Sequence, residues 1–493
     1  MSGTPRERSP LEDVRNALHN AGKLGTSLVL TWGIGIVVRL FMPRYLGPDR
    51  FGLLSFADGI AATAVGCLSL GVDTYVQKEI PLRPRHASDF MGGVVVTRAL
   101  LTLGVILTLQ LLPWASRDEE LASLLAAFAV GYLFFAMNGT YACLLQANAT
   151  VDELALANTA VKIVWGAGIG AGLVLRLPLL SLALVFAASE AVKVFLLHMA
   201  ARRHLRLRLR FDARGTWAVM RGSLSFYGAS LVQTLGARLD IVLLGFLASD
   251  VDVGWFAAAW TLAGITLLLA PLMLSVLLPL LTRLQAQSPP AMLDLVRRSL
   301  ELIVVVGTPT ALLVGLGADL WVRLAFGRAF APSAESLRIL APMFVLTYVN
   351  ILLWMTLLVR GGLWRLTAVS VVGIAVGVPA ALVTVPLLGR LLGPGGAGAG
   401  MATSILVREV VVVACLIALG GREAFDPPRR RVVARSLVAA LGAGVVHLAL
   451  APLTDWRVVP AVLTYLALAI QLGALKPRVV AALVRDVLGS RPR

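Results

Sequence analysis

The sequence has few of the charged residues and cysteines on which soluble and secreted proteins depend. Only 14% of its 493 residues are charged and 58% are hydrophobic, so in water it would lack polar groups to cover its surface. The three cysteines, Cys67, Cys143 and Cys415, stand singly in apolar runs, which predicts neither a disulfide framework nor a zinc site. With a mean hydropathy of +0.84, the chain is expected to use lipid as its solvent.

Motifs of catalysis are missing as well. The sequence contains no GxxxxGK[ST] phosphate loop, no GxSxG nucleophile elbow and no HExxH zinc motif, and its 5 histidines are scattered. We therefore predict a protein that is not an enzyme, with no catalytic residue, no metal and no cofactor. Because no ATP-binding motif is present, any directional transport has to draw on an ion gradient, the membrane potential or removal of the product.

Acidic residues are scarce, with 27 Asp and Glu against 44 Lys and Arg and a net charge of +17. If the N-terminus is cytoplasmic, most of the basic residues fall in cytoplasmic segments, which is the positive-inside pattern. The polybasic stretch 202–210 is then explained by anionic membrane lipids, and nucleic acid is not an expected partner. We predict a multi-pass protein of the cytoplasmic (inner) membrane with both termini in the cytoplasm.

About fourteen apolar runs are long enough to span a bilayer, since a core of about 30 Å needs about 20 helical residues. They predict an all-α integral membrane protein with two six-helix lobes and two C-terminal helices. Short similarities between the halves, such as 46–53 with 247–256 and Glu190 with Glu409, indicate an internal repeat. An even number of spans separates the copies, so we expect a pseudo-two-fold axis along the membrane normal, with a central cavity between the lobes. The predicted division is a cytoplasmic N-terminal arm at 1–23, an N-lobe at 24–200, a basic cytoplasmic linker at 201–221, a C-lobe at 222–420, a basic cytoplasmic loop at 421–431, the last two spans at 432–476 and a cytoplasmic tail at 477–493.

The sequence RYLGPDRFG at Arg44–Gly52 separates the first two apolar runs and reads as an outer hairpin with a Gly-Pro turn over Tyr45–Gly52. A proline at 271 predicts a bend in the eighth span. Other motifs follow in order along nearly the whole chain, namely Leu70-Gly71-Val72, Arg238-Leu239-Asp240, Val253–Ala259, Leu278–Arg283 and the glycine-rich Gly395–Thr403.

These motifs together resemble the polysaccharide-biosynthesis or O-antigen type flippases, a family of the multidrug/oligosaccharidyl-lipid/polysaccharide exporter superfamily. The resemblance implies a substrate in which a polyprenyl diphosphate carries an oligosaccharide. It also implies the glycan-assembly machinery as a partner, beside the lipid-linked glycan itself and the membrane lipids.

Charged side chains inside the spans are the candidate site. An arginine at the centre of a helix in lipid costs at least about 2.5 kcal/mol, so Arg39, Arg98 and Arg238 are expected to face a polar cavity. Their planar forks suit a diphosphate, which makes them the predicted substrate-binding cations. Asp58 and Asp240 are the predicted counter-charges, and they are also candidate coupling-ion sites.

Further charges within the spans fit structural roles at least as well. Glu190 and Lys193 are spaced to pair on one helical face, and Arg408 and Glu409 are expected to pair with neighbouring helices. Both glutamates remain candidate coupling-ion sites. Lys162 lies nearer a span end, where its ammonium is expected to reach the interface.

Three other functions stay open at this point. A cation-coupled multidrug antiporter of the same superfamily needs a cavity dominated by acids, whereas cations are at least as numerous here. A membrane-embedded glycan polymerase or ligase also needs intramembrane arginines, but it usually has a large outer loop, and the outer loops here are short. A scaffold for glycan assembly that transports nothing is the third alternative.

Overall fold

The computed structural model describes residues 10–68, 70–79, 87–111, 119–147, 151–205, 210–450 and 455–475. The predicted tail at 477–493, residues 1–9 of the predicted arm and residues 206–209 of the predicted linker lie outside them. The described residues form helices joined by short turns, and no strand occurs among them. The predicted all-α class is therefore confirmed.

The described chain contains sixteen α-helices, besides short 3-10 and π-helical turns. They are α1 (Pro10–Gly66), α2 (Val72–Glu79), α3 (Ala87–Leu111), α4 (Glu119–Ala147), α5 (Val151–Val174), α6 (Leu179–Leu205), α7 (Ala213–Leu247), α8 (Asp250–Thr266), α9 (Ala270–Gln287), α10 (Pro289–Leu316), α11 (Ala318–Phe326), α12 (Ser333–Val359), α13 (Leu363–Leu392), α14 (Gly396–Leu416), α15 (Pro427–Ala449) and α16 (Val458–Gln471).

Apolar length identifies the membrane spans. Within the described ranges, 9 helices are long and apolar enough to cross a membrane, or up to 11 if each of two bent pairs is one span. One pair bends by 49° inside α7, just before Arg238, and the other by 41° between α8 and α9. Pro271 lies in the first turn of α9, where it cannot donate a backbone hydrogen bond to the preceding turn. The chain is a multi-pass membrane protein, and the predicted number of spans stays a prediction.

The predicted Gly-Pro turn over Tyr45–Gly52 is much shorter in the structure. Helical geometry in α1 is broken at Gly47 alone, which has φ 76° and ψ 167°. Pro48 then starts the second half of α1, because its fixed φ suits a first helical position. The second span, predicted at 53–77, is interrupted instead, since the backbone leaves helical geometry at Leu70 (φ 54°) and Gly71 (φ 69°).

The chain divides into two compact units. Unit one comprises residues 1–46 and 53–242, and unit two comprises residues 47–52 and 243–493, as far as each is described. The boundary in the second half of the chain lies inside α7, whereas we predicted a lobe boundary at 201–221. The first part of α7 belongs to unit one because it packs on α1, where the hydroxyl of Tyr227 donates to the carbonyl of Cys67 at 2.8 Å.

Each unit has its own apolar core. In unit one, α2 to α7 pack around buried side chains that include Phe90, Tyr141 and Leu144. In unit two, α9, α10 and α12 to α14 enclose Val296, Leu352 and other apolar residues. These cores fix the positions of the spanning helices within each unit, and the polar side chains of the candidate site project from these helices.

Candidate functional site

Asp58, in the second half of α1, uses both of its carboxylate oxygens. Oδ2 accepts a hydrogen bond from Nη1 of Arg238 in α7 at 2.9 Å, and Oδ1 accepts one from the hydroxyl of Tyr132 in α4 at 2.7 Å. Hydrogen bonds of this charge-assisted kind are roughly twice as strong as neutral ones. The side chain of Arg238 is still 42% exposed, so the pairing orients the guanidinium without enclosing it.

Close packing of α1 on α7 brings Asp58 and Arg238 together. A Cβ added at Gly59 would collide with the side chain of Ile241, and one added at Gly66 would collide with that of Thr234. The two helices therefore approach at positions where α1 has no side chain, as small residues allow in membrane proteins. Ile241 is one helical turn beyond Arg238, so this contact sets the position of the ion pair.

Further charged groups of unit one are electrostatically linked to this pair. Arg39 interacts with Asp58 and Arg238. Lys162 interacts with Arg39, Glu190 and Lys193. We call the whole set the basic cluster, which consists of Arg39, Asp58, Tyr132, Lys162, Glu190, Lys193 and Arg238.

Cations outnumber acids in the basic cluster. With every group in its ordinary charge state, Arg39, Lys162, Lys193 and Arg238 oppose only Asp58 and Glu190, which leaves two positive charges. The side chain of Arg39 is exposed, and among the described residues it forms no ion pair. An anion with two or more charges would complete this arrangement electrostatically.

Lys162 is held close to α1 rather than at a distant interface. Its ammonium lies 3.6 Å from the centroid of the Trp165 ring, a cation–π contact. Its Cε would be 3.6 Å from a Cβ placed on Gly35, one turn before Arg39. We predicted that the ammonium of Lys162 reaches the membrane interface. The contact with α1 was not predicted, because it depends on how the helices pack.

A buried amide holds Glu190. Nδ2 of Asn138 in α4 donates to Oε2 of Glu190 at 2.7 Å and to its backbone carbonyl at 3.0 Å. Unit two repeats the arrangement, because Nδ2 of Asn350 in α12 donates to Oε2 of Glu409 in α14 at 3.1 Å. Each asparagine amide orients the carboxylate that it binds. Because the amide is neutral, the carboxylate keeps its negative charge.

Glu409 also has a cationic neighbour in unit two. Nε of Arg408 lies 3.8 Å from Oε1 of Glu409, and both side chains are at most 15% exposed. We predicted partners for both residues on neighbouring helices, whereas this contact joins consecutive residues of α14. Whether Glu409 binds a coupling ion stays a prediction.

Arg98 has partners different from those of Arg39 and Arg238. It is 3% exposed, and its guanidinium donates to Asp73 in α2 at 3.2 Å and to Thr140 in α4 at 2.6 Å. The same Nη1 donates to the carbonyl of Ala136 at 2.7 Å, and Thr140 donates in turn to Asp73. Arg98 thus ties three helices of unit one together, with Asp73 as a counter-charge that we did not predict.

Of the predicted site residues, the structure brings Arg39, Asp58, Glu190 and Arg238 into one group. Asp240 is half-buried in α7, and Arg238 bonds Asp58 rather than this nearby acid. The sequence analysis did not predict Tyr132, which belongs to the group, or Asn138, which donates a hydrogen bond to Glu190. A hydroxyl and an amide inside an otherwise apolar helix were the available signals, because polar groups in lipid need partners.

Comparison with known proteins places the chain in a family. Residues 17–285, more than half of the chain, match the family model described as "Polysaccharide biosynthesis protein". No curated protein sequence matches the chain. Solved structures do match, and at these low identities the match concerns the fold.

Three of these structures illustrate the likeness. The lipid II flippase MurJ in an inward-closed conformation has a TM-score of 0.61 at 11% identity, and the match covers 92% of this chain and 100% of MurJ. An inward-facing multidrug resistance MATE family transporter of the MOP superfamily has a TM-score of 0.59 at 15% identity, covering 81% of this chain and 95% of its own. A MOP superfamily transporter from Pyrococcus furiosus, described by the reverse polarity of its binding pocket, has a TM-score of 0.54 at 14% identity, with 82% and 95% covered.

The motif resemblance, the family match over more than half of the chain and the shared helical fold agree. This protein belongs to the polysaccharide biosynthesis protein family, and its fold is similar to that of MOP superfamily transporters.

Proposed function

We propose that this protein is a flippase that moves a polyprenyl-diphosphate-linked oligosaccharide, or a related polysaccharide precursor, across the cytoplasmic membrane by alternating access. The observation that carries the proposal is the excess of cations in the basic cluster of unit one. A diphosphate supplies the missing negative charge. Arg39 and Arg238 are the proposed diphosphate ligands, with Lys162 and Lys193 adding to the positive field.

The orientation of Arg238 supports this role. One edge of its guanidinium is held by Asp58, which Tyr132 holds in turn. A guanidinium group that is already oriented needs little reorganisation to bind phosphate oxygens in a bidentate manner. The exposed side chain of Arg39 offers a second guanidinium group, so that each of the two phosphates of the ligand has one guanidinium to bind.

The membrane arrangement belongs to the same proposal. The N-terminal arm, the two lobes, the linker and the last two spans keep the boundaries predicted from the sequence, and both termini lie in the cytoplasm. The glycan headgroup passes through the polar interior while the polyprenyl tail stays in lipid. Glycan-assembly enzymes on the two faces supply the substrate and consume the product.

A cation-coupled multidrug antiporter is the second candidate, since a MATE transporter shares the fold. Its organic cations would have to bind Asp58 or Glu190. Both carboxylates already accept hydrogen bonds, and four cations of the basic cluster interact with them electrostatically. The charge balance therefore favours an anionic substrate over a cationic one.

Site-directed variants in cells that depend on this protein for glycan export test the proposal. We expect Arg39→Ala and Arg238→Ala each to make lipid-linked glycan accumulate on the cytoplasmic face. A charge-assisted hydrogen bond contributes about 1.5 to 3 kcal/mol, so each change weakens diphosphate binding by about tenfold or more. Lysine at either position restores export in part, because an ammonium lacks the fork.

Arg390→Ala is the matched control, because Arg390 is an exposed arginine of α13 in unit two and not a member of the basic cluster. Each variant is first compared with the wild type for membrane insertion and thermal stability. Normal export by the folded Arg39→Ala, Arg238→Ala double variant rejects the proposal. Loss of drug efflux in Asp58→Asn, with Arg39→Ala unaffected, supports the antiporter instead.

A further inference from the structure

Lys162 of α5 lies against α1, and two glycines make this contact possible. The Cε atom of Lys162 would be 3.6 Å from a Cβ placed on Gly35 of α1. In the opposite direction, a Cβ placed on Gly166 of α5 would collide with Cγ2 of Ile34 at 2.7 Å. Each helix therefore has a glycine where the other presents a side chain, which is how small residues allow close approach in membrane proteins.

The contact brings Lys162 close to Arg39. Arg39 follows Gly35 by one helical turn, about 6 Å along the axis of α1. Side chains on an α-helix lean toward its N-terminus, so Arg39 leans toward the turn that contains Gly35. The electrostatic interaction between Lys162 and Arg39 agrees with this proximity.

Two like charges close together repel each other, so the ammonium of Lys162 needs a group that holds it in place. The ring of Trp165 is such a group, because its centroid lies 3.6 Å from Nζ of Lys162. The two residues are three positions apart and so share one face of α5. An aromatic ring attracts a cation without cancelling its charge, and tryptophan does so best. From α6, Glu190 attracts the same ammonium and Lys193 repels it.

We propose that Trp165 is a positioning residue, which holds the ammonium of Lys162 beside Arg39 so that the two cations bind one phosphate together. Resting on the proposed function, in which the substrate carries a diphosphate, this assignment leaves the other phosphate to Arg238, which Asp58 orients. Lysine binds phosphate as a point charge and arginine binds it through a planar fork, so the two side chains share the oxygens of one phosphate. Lys162 is then a direct ligand of the substrate.

Binding of inorganic diphosphate to the full-length protein in phosphatidylcholine nanodiscs, measured by calorimetry, tests this role. We expect Trp165→Leu to weaken binding by about three- to tenfold, the loss that follows from one cation–π contact. Trp165→Phe keeps an aromatic face and should retain most of the affinity. In the Lys162→Gln background, Trp165→Leu should have no further effect, because the ring acts only through the ammonium. A tryptophan that merely supports the fold would not meet the last two expectations.

Variants of Gly35 test the same contact with both side chains in place. Gly35→Leu extends a side chain toward Cε of Lys162 and displaces the ammonium, so diphosphate binding should weaken to a similar extent. Gly35→Ala is the matched control, because its Cβ would make an ordinary contact at 3.6 Å and the ammonium need not move. Trp364→Leu changes an exposed tryptophan of α13 and should leave the affinity unchanged. Each variant is first compared with the wild type for thermal stability.

The outcomes separate the role of Trp165 from the proposed function. If Arg39→Ala weakens diphosphate binding while Trp165→Leu and Gly35→Leu keep the wild-type affinity, the positioning role is rejected and the proposed function stands. An equal loss from Trp165→Leu with and without Lys162→Gln also rejects the role, since the ring then acts by another route. If the wild type binds no diphosphate, both proposals are rejected.

Discussion

Gly52 and Gly254 lie against one another in unit two through a reciprocal backbone contact. A Cβ on Gly52 would collide with the carbonyl of Asp250 and lie 2.8 Å from the nitrogen of Gly254. A Cβ on Gly254 would collide with the carbonyl of Pro48 and lie 3.1 Å from the nitrogen of Gly52. Each glycine faces the carbonyl four residues before the other, so the two segments contact each other in equivalent ways.

Substitution of either glycine tests this contact. We expect Gly52→Ala and Gly254→Ala each to destabilise the protein by about 1 to 3 kcal/mol, since the colliding atoms belong to the backbone and cannot rotate away. Thermal unfolding in detergent measures the change. Gly264→Ala is the control, because a Cβ there meets no atom within 4 Å and alanine favours the helix. Equal stability of the three variants contradicts the close contact.

The Asp58–Arg238 ion pair is testable by a double-mutant cycle. We expect Asp58→Asn and Arg238→Gln to show a coupling energy of about 0.5 to 3 kcal/mol, the range for residues in direct contact. Unfolding in detergent mixtures supplies the free energies. Pairing Asp58→Asn with Arg365→Gln, an exposed arginine of α13, should give additive effects. A coupling of zero in the first cycle contradicts the ion pair.

Arg98 and Arg39 are expected to respond differently to alanine. Arg98→Ala leaves Asp73 and Thr140 without a hydrogen-bond donor and should cost about 1 to 3 kcal/mol of stability. Arg39→Ala removes an exposed side chain, so its stability should stay within about 0.5 kcal/mol of the wild type while export fails. Melting temperature and export are measured on the same samples. A stable Arg98→Ala that loses export would return Arg98 to the list of substrate ligands.

Cysteine labelling tests the predicted orientation. In a variant without Cys67, Cys143 and Cys415, a cysteine at Asp49 should react with an impermeant reagent added to intact cells. A cysteine at Arg206, in the predicted basic linker, should react only after the cells are opened. The expectation rests on the distribution of basic residues. The reverse pattern would place the termini outside.

The energy source is open to a vesicle experiment. Because the sequence has no ATP-binding motif, we expect transport in sealed vesicles to respond to ionophores or to the gradient of the lipid-linked glycan. Asp58, Asp240, Glu190 and Glu409 are the carboxylates to neutralise if ionophores matter. Transport that ignores both treatments contradicts gradient-driven flipping.

Local sequence was enough to predict the all-helical membrane class and part of the site. The long apolar runs predicted helices, because a segment that crosses a bilayer must be continuously apolar and must satisfy its backbone hydrogen bonds internally. The cost of charge in lipid likewise singled out Arg39, Asp58 and Arg238, which the structure joins. The equivalence of Glu190 and Glu409 also followed from short sequence similarity, and each proved to be held by an asparagine.

The choice of partners was decided by tertiary structure alone. Nothing near Arg98 in the sequence indicates that Asp73 is its counter-charge, or that Asp58 binds Arg238 and Tyr132 while Asp240 does not. Hydropathy acts on each helix separately, whereas an ion pair depends on which helices are neighbours and how they are rotated. That arrangement is set by contacts between residues far apart in the chain, such as Gly59 against Ile241, and so it appears only once the helices are packed.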